Sequence, residues 1–215
     1  MSFQALEICA VILAIAYLLL AARENIFCWF WAFFSSGIYV YLFWQVGLLM
    51  ESMLNIFYVL MACAGWLHWR SGGGQHVGEV PEAGQNKAVG ANSLAIRTCK
   101  PWQHLLIIST MLVLALLNGW FMQTYTSAVW PFVDSFTTWA SVITTFMVIY
   151  KYLENWLYWF VIDGISVYLY VDRALYLTAL LFLAYLVIVA GGYISWRKSF
   201  LLSKAQNTAK EYSLL

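Results

Sequence analysis

The chain has 215 residues, 63% of them hydrophobic and 10% charged, with a formal net charge of +1. That balance excludes an ordinary soluble domain, because uncharged runs of about 20 residues recur along it and mark an integral membrane protein. Lipid leaves no backbone polar group free to go unpaired, so the runs are predicted to be helices.

Seven spans follow in chain order, giving an all-α membrane fold. The first covers about residues 3–22, FQALEICAVILAIAYLLLAA. It lacks a basic leading region and a small-residue cleavage site, and is read as a retained helix rather than a signal peptide. Glu7 near its outer end reads as a wetted interfacial carboxylate, as does Asp134 in the fifth span. The second span, 26–46, carries Trp29, Ser36 and Tyr39, and the third, 49–69, carries Asn55, an isolated amide in an apolar helix. Residues 71–101 are Gly-rich and polar, the composition of a flexible loop. A linker span at 102–124 precedes spans at 129–150, 156–171 and 174–196 and a tail over 199–215. Trp69, Trp130 and Trp196 stand at span ends and read as interfacial belt residues.

An odd number of spans puts the termini on opposite sides. Arg23, Arg70, Lys87, Arg97, Lys100, Lys151, Arg197, Lys198, Lys204 and Lys210 then fall on the side of the C-terminus, and Arg173 alone on the other. By the positive-inside rule the C-terminus is cytoplasmic and the N-terminus outside.

The chain also repeats. At a shift of 127 residues SGIYVYL (36–42) falls on DGISVYL (163–169), GWLHWR (65–70) on GYISWR (192–197), Tyr58 on Tyr185 and Glu7 on Asp134. At a shift of 130, ENIFCWF (24–30) falls on ENWLYWF (154–160), which reads as a three-residue insertion between two registers. Residues 1–70 and 128–198 therefore form two three-span units, and the linker over 102–127 makes them run the same way. This is a 3+1+3 parallel repeat about an axis along the membrane normal, an architecture that places a substrate site near the midplane between the units. Gly37 and Gly164 stand at matched positions and are expected to serve close helix packing, with a hinge role the alternative.

Asp163 lies deep in the sixth span, about 12 Å of helix from Asn155. A charge there costs a few kcal/mol or more, and no Lys or Arg shares its helix face. Water in a cavity, protonation, hydrogen bonds from hydroxyls and amides, or a cationic ligand can each compensate it. Asn155, Trp159, Asp163, Ser166 and Tyr170 are spaced 4, 4, 3 and 4, so they form one helical stripe of amide, indole, carboxylate and hydroxyls. Such a stripe suits a flat aromatic ligand carrying sugar hydroxyls, and an indole face attracts a cationic ring further. The first unit presents Asn25, Trp29, Ser36 and Tyr39, with Ser36 in the place of Asp163, so an asymmetric ligand is expected. Asn55 either packs across helices or reaches the cavity.

YKYLENWLYWFVIDGISV, with Asp134 twenty residues before Glu154, resembles the signature of the PnuC family of vitamin transporters, as do GWLHWR and the amide at Asn55. The resemblance covers residues 3–197. It implies uptake of nicotinamide riboside, a precursor of NAD, across the bacterial inner membrane by facilitated diffusion with alternating access. It further implies trapping by a cytoplasmic nicotinamide riboside kinase, a homotrimer, and substrate contacts at Asn155, Trp156, Trp159 and Asn55. Asn can stand where Asp163 stands in such relatives. A carrier for thiamine or another vitamin, or a neutral-sugar facilitator of similar fold, is the alternative.

Other classes fit less well. Cys9, Cys28, Cys63 and Cys99 form no CxxC pair, and His68, His76 and His104 have no clustered carboxylates or thiols, so no metal and no cofactor is expected. No nucleophile–base constellation points to an enzyme. The seventh span has no lysine for a retinal Schiff base. The partners expected are the lipid bilayer and a small-molecule substrate, with no nucleic acid.

Overall fold

A computed structural model describes residues 3–45, 49–71, 95–126, 130–172 and 176–212. Among these residues lie seven helices: α1 (Phe3–Ala22), α2 (Cys28–Gln45), α3 (Leu49–Arg70), α4 (Pro101–Tyr125), α5 (Pro131–Ile149), α6 (Asn155–Asp172) and α7 (Tyr176–Tyr212). The only β-pairing among the described residues is one isolated bridge, Arg97 to Tyr152. Five helices are long and apolar enough to cross a membrane by length and composition. The other two are α2 and α6, where Trp, Tyr and Ser, with Asp163 and Asp172 in α6, dilute the aliphatic residues. Each still has 18 residues, about 27 Å of helix.

Local chemistry explains the ends. Pro101 and Pro131 open α4 and α5, where a missing N–H loses no helical hydrogen bond. Gln103 folds back so that its side chain accepts from the Lys100 amide at 2.7 Å. The seventh helix differs from expectation. It runs unbroken to Tyr212, through residues read as the end of a span and a tail, because LLSKAQNTAKEY offers neither Gly nor Pro to stop it.

The helices pack as a ring in the order α1, α2, α3, α5, α6, α7 and back to α1, while α4 lies outside against α5. Asn118 donates to the Ser135 hydroxyl at 3.0 Å, and Gly119 admits the Phe132 ring. His104 reaches from α4 to the Tyr158 hydroxyl on α6 at 2.8 Å.

Exchanging α1 with α5, α2 with α6 and α3 with α7 maps the ring's contacts onto themselves. The offset is 127 residues throughout. It relates the ends of α1 and α5, both ends of α2 and α6, and the starts of α3 and α7. Backbone bonds repeat as well: Asn25 N–H to Leu20 O is matched by Tyr152 to Met147, and Cys28 to Asn25 by Asn155 to Tyr152. This corrects the reading of a second register at 130 and a three-residue insertion. Glu24 sits in the turn after α1 whereas Glu154 immediately precedes α6, so the shared letters ENxxxWF occupy different places. Trp29 corresponds to Trp156, not to Trp159, whose counterpart is Ala32.

The core lies at the end of the ring where α1, α3 and α5 terminate. It gathers Cys28, Trp29, Trp69, Val148, Ile149, Trp156 and Trp196. Trp196 is 0% and Trp69 6% exposed, which corrects their reading as belt residues: the ring closes over them. Gly37 and Gly164 are corrected too, since a Cβ at either would meet nothing within 4 Å. The glycines that allow close approach are Gly65 under Trp29 and Gly192 under Trp156.

Candidate functional site

Two layers of buried polar residues stand out in the ring. The first surrounds the starts of α2 and α6. Trp29 packs edge-on to Trp69 with ring centroids 5.4 Å apart at 86°, and Trp156 packs on Trp196 at 5.5 Å and 85°. Trp69 and Trp196 meet at 6.2 Å, so four indoles run continuously across the axis. Asn155 is fully buried. Its amide nitrogen donates to the Tyr152 carbonyl at 2.7 Å and secures the turn into α6. Its Oδ1, the indole N–H groups of Trp29 and Trp156, and the hydroxyl of Thr144 on α5 are buried without a hydrogen bond to described residues. A buried polar atom left without a partner costs about 1–3 kcal/mol, which is why such atoms collect where a guest or water is accommodated.

The second layer lies about 10 Å deeper along α6, seven residues on from Trp156. Asp163 is 5% exposed and faces the ring interior rather than lipid. Tyr185 on α7 is near enough to interact electrostatically with both Asp163 and Tyr39 of α2, so this layer joins the two repeats across the axis. Ser166 and Ser36 are buried in their helices, and the Ser166 hydroxyl donates to the Ile162 carbonyl at 2.9 Å. Among the described residues the one ion pair is Lys151 with Glu24, in the other layer, so no cation pairs with Asp163.

The anticipated residues are thus distributed, not gathered. Trp29, Asn155 and Trp156 belong to the indole layer. Tyr39 and Asp163 each lie within electrostatic reach of Tyr185, and half-buried Trp159 packs between the indole cluster and a second cluster of Met111, Ala140 and Ile162. Asn55 donates to the Glu51 carbonyl of its own helix at 2.8 Å, and no described bond ties it to the other candidates. Sequence reasoning passed over Tyr185, Thr144 and Lys151. Tyr185 carried a signal, since it was matched to Tyr58 across the repeat. Thr144 carried none, because a threonine on a helix ordinarily bonds its own backbone, as Thr145 does to the Ser141 carbonyl at 2.7 Å.

Comparison with known proteins agrees with this architecture. A family model described as nicotinamide mononucleotide transporter matches residues 4–198. The chain is 25% identical over 190 residues to the nicotinamide riboside transporter PnuC of Escherichia coli K12, covering 84% of this chain and 80% of that one. It is likewise 25% identical over 197 residues to the PnuC of Neisseria mucosa, covering 88% and 70%. A crystal structure described as the vitamin B3 transporter PnuC superposes with a TM-score of 0.71 over 92% of this chain and 82% of that one, at 22% identity, and so shares the fold.

Proposed function

The chain belongs to the nicotinamide mononucleotide transporter family, and from that premise we propose that it carries nicotinamide riboside across the membrane. It is a multi-pass membrane transporter and not an enzyme. The observation that carries the choice of substrate is Asp163: a carboxylate buried inside the ring, within electrostatic reach of Tyr185, with no cation paired to it among the described residues. Nicotinamide riboside brings a positive ring that offsets that charge and a ribose that uses hydroxyl and amide partners. The 5′-phosphate of the mononucleotide would need cationic or N–H donors of its own. Lys151, the one buried cation among the described residues, is already held by Glu24, so the nucleoside fits better than the nucleotide.

In this reading Trp159 stacks on the ring and Asp163 opposes its charge, while Asn155 and Ser166 bond the amide and hydroxyls. Trp156 and Trp29 wall the site toward the closed end. Ser36, Tyr39 and Asn55 offer weaker polar contacts from the first repeat, so the demanding end of the ligand faces the second. Transport is facilitated diffusion by alternating access of the two repeats around the site, in the inner membrane of a bacterial cell. The N-terminus lies outside, and a cytoplasmic kinase traps the product. The assembly is a homotrimer.

Calorimetry on the purified protein against nicotinamide riboside, nicotinamide mononucleotide and thiamine tests the reading. Micromolar binding of the riboside alone is expected. Asp163→Asn should weaken it roughly tenfold, about 1.4 kcal/mol, and Trp159→Ala should weaken it further. Tighter binding of thiamine, or riboside binding indifferent to Asp163→Asn, overturns it. Vesicle uptake at several membrane potentials tests the uniport, since carriage of a cation alone must respond to voltage.

A further inference from the structure

Glu24 and Lys151 are the same position in the two repeats, 127 residues apart, and they bond each other at 2.8 Å. Each is the second residue past its helix, after Ala22 in α1 and after Ile149 in α5. Each has a left-handed backbone, with φ of 55° and 53°, the only two non-glycine residues so placed among those described. A helix C-terminus of this kind favours glycine. Charged side chains stand there instead, and residues related by a two-fold axis meet on that axis. Identical residues would set like charges together; the repeats have diverged to opposite ones.

Lys151 is 2% exposed, with its ammonium 4.5 Å from the centre of the Trp69 ring and 5.9 Å from that of Trp196. Those indoles in turn donate across the repeats, Trp69 to the Ile149 carbonyl and Trp196 to the Ala21 carbonyl, each at 2.9 Å. One end of the ring is therefore clasped by one ion pair and two indole–carbonyl bonds, all running from one repeat to the other. The clasp is backed on one side. The Arg97 amide donates to the Lys151 carbonyl at 2.9 Å, and the Leu153 amide donates to the Arg97 carbonyl at 2.8 Å. No such bridge supports Glu24 among the described residues, and its side chain is 23% exposed.

We propose that Glu24 and Lys151 are the latch of the gate at this end of the carrier, which parts whenever substrate passes on that side, with Glu24 on the moving half. The inference rests on the alternating-access reading. Its physical basis is reversibility. A buried ion pair holds no better than an apolar contact of the same size, but its members regain full hydration when water enters, whereas an apolar plug loses by opening. A permanent rivet has no use for that property; a contact made and broken each cycle does.

Cys28 reports on the latch without any substrate. It is 0% exposed, at the start of α2, near enough to Lys151 to interact with it electrostatically. In a background of Cys9→Ser, Cys63→Ser and Cys99→Ser, Cys28 is labelled with a membrane-impermeant maleimide applied to the side where α1, α3 and α5 end. Glu24→Gln should raise the labelling rate at least tenfold, Glu24→Asp should raise it less, and the reversal Glu24→Lys with Lys151→Glu should bring it back toward the parent rate. Unchanged labelling in every variant that elutes as folded protein, or a reversal that labels as fast as Glu24→Gln, overturns the latch. Should Glu24→Gln fail to fold, Glu24→Asp and the reversal decide in its place. Because no ligand is present, failure here leaves the nicotinamide riboside reading standing, and failure of the binding assay leaves the latch standing.

Discussion

A hydrogen atom at two glycines decides how closely the indoles approach. A Cβ at Gly65 would lie 2.5 Å from the Trp29 ring, and one at Gly192 would lie 2.6 Å from that of Trp156. Gly65→Ala and Gly192→Ala should each destabilise the protein by about 1–3 kcal/mol, since the large ring has packed neighbours behind it. Gly37→Ala and Gly164→Ala meet open space and should be neutral or stabilising by up to about 1 kcal/mol, because alanine is the better helix former. Thermal unfolding in detergent separates the pairs; equal losses at all four would contradict the placement. Cys99 yields a second expectation. Burial, reinforced by the Glu154 carboxylate, pushes its thiol up to about 11. The thiolate is the reactive form, so at pH 8 alkylation of Cys99 should run roughly a hundredfold slower than for an ordinary thiol. The rate should climb about tenfold per pH unit up to that value. Glu154→Gln removes the smaller cause, lowers the thiol's pKa and should speed the reaction in part.

The first helix of each repeat ends in the same left-handed turn, and the last helix of each sends an indole to the end of the other repeat's first helix. Trp69→Phe and Trp196→Phe each delete one such bond, worth about 0.5–1.5 kcal/mol. Matched drops in unfolding temperature are expected, and a loss confined to one variant would show that the two clasps carry unlike loads. The fourth helix obeys no such symmetry. It belongs to neither repeat and carries an apolar outer face, with Leu105, Leu116, Leu117 and Trp120 exposed, as suits a helix whose solvent is lipid.

Taken whole, the molecule is a symmetric frame around an asymmetric interior. Ser36 and Asp163 are the same position, as are Cys28 and Asn155, and Ala32 and Trp159. The second repeat alone has the acid and the extra indole at these positions, and it has Asn155 where the first has Cys28. Moving the acid across the axis tests whether the frame or the address matters. Asp163→Ser should weaken nicotinamide riboside binding by tenfold or more, and Ser36→Asp added to it should recover only part, because Trp159 stays behind in the second repeat. Full recovery by calorimetry would mean that the site reads charge alone.

The seven helices, the repeat and the acid on α6 were legible in the sequence, because lipid forces every long apolar run into a helix and because 127-residue matches such as SGIYVYL with DGISVYL outlast divergence at other positions. Legibility failed where two distant segments had to meet. ENIFCWF resembles ENWLYWF in letters, yet only the turns after α1 and α5 show that Glu24 answers to Lys151 rather than to Glu154. Trp69 and Trp196 look like interfacial residues along the chain, and the closing of the ring buries them. Lys151 counts as one more basic residue at a span end until the fold sets it on the axis against Glu24. Hydrophobicity acts residue by residue and can be read along a line, whereas a contact across a two-fold axis depends on both repeats being in place at once.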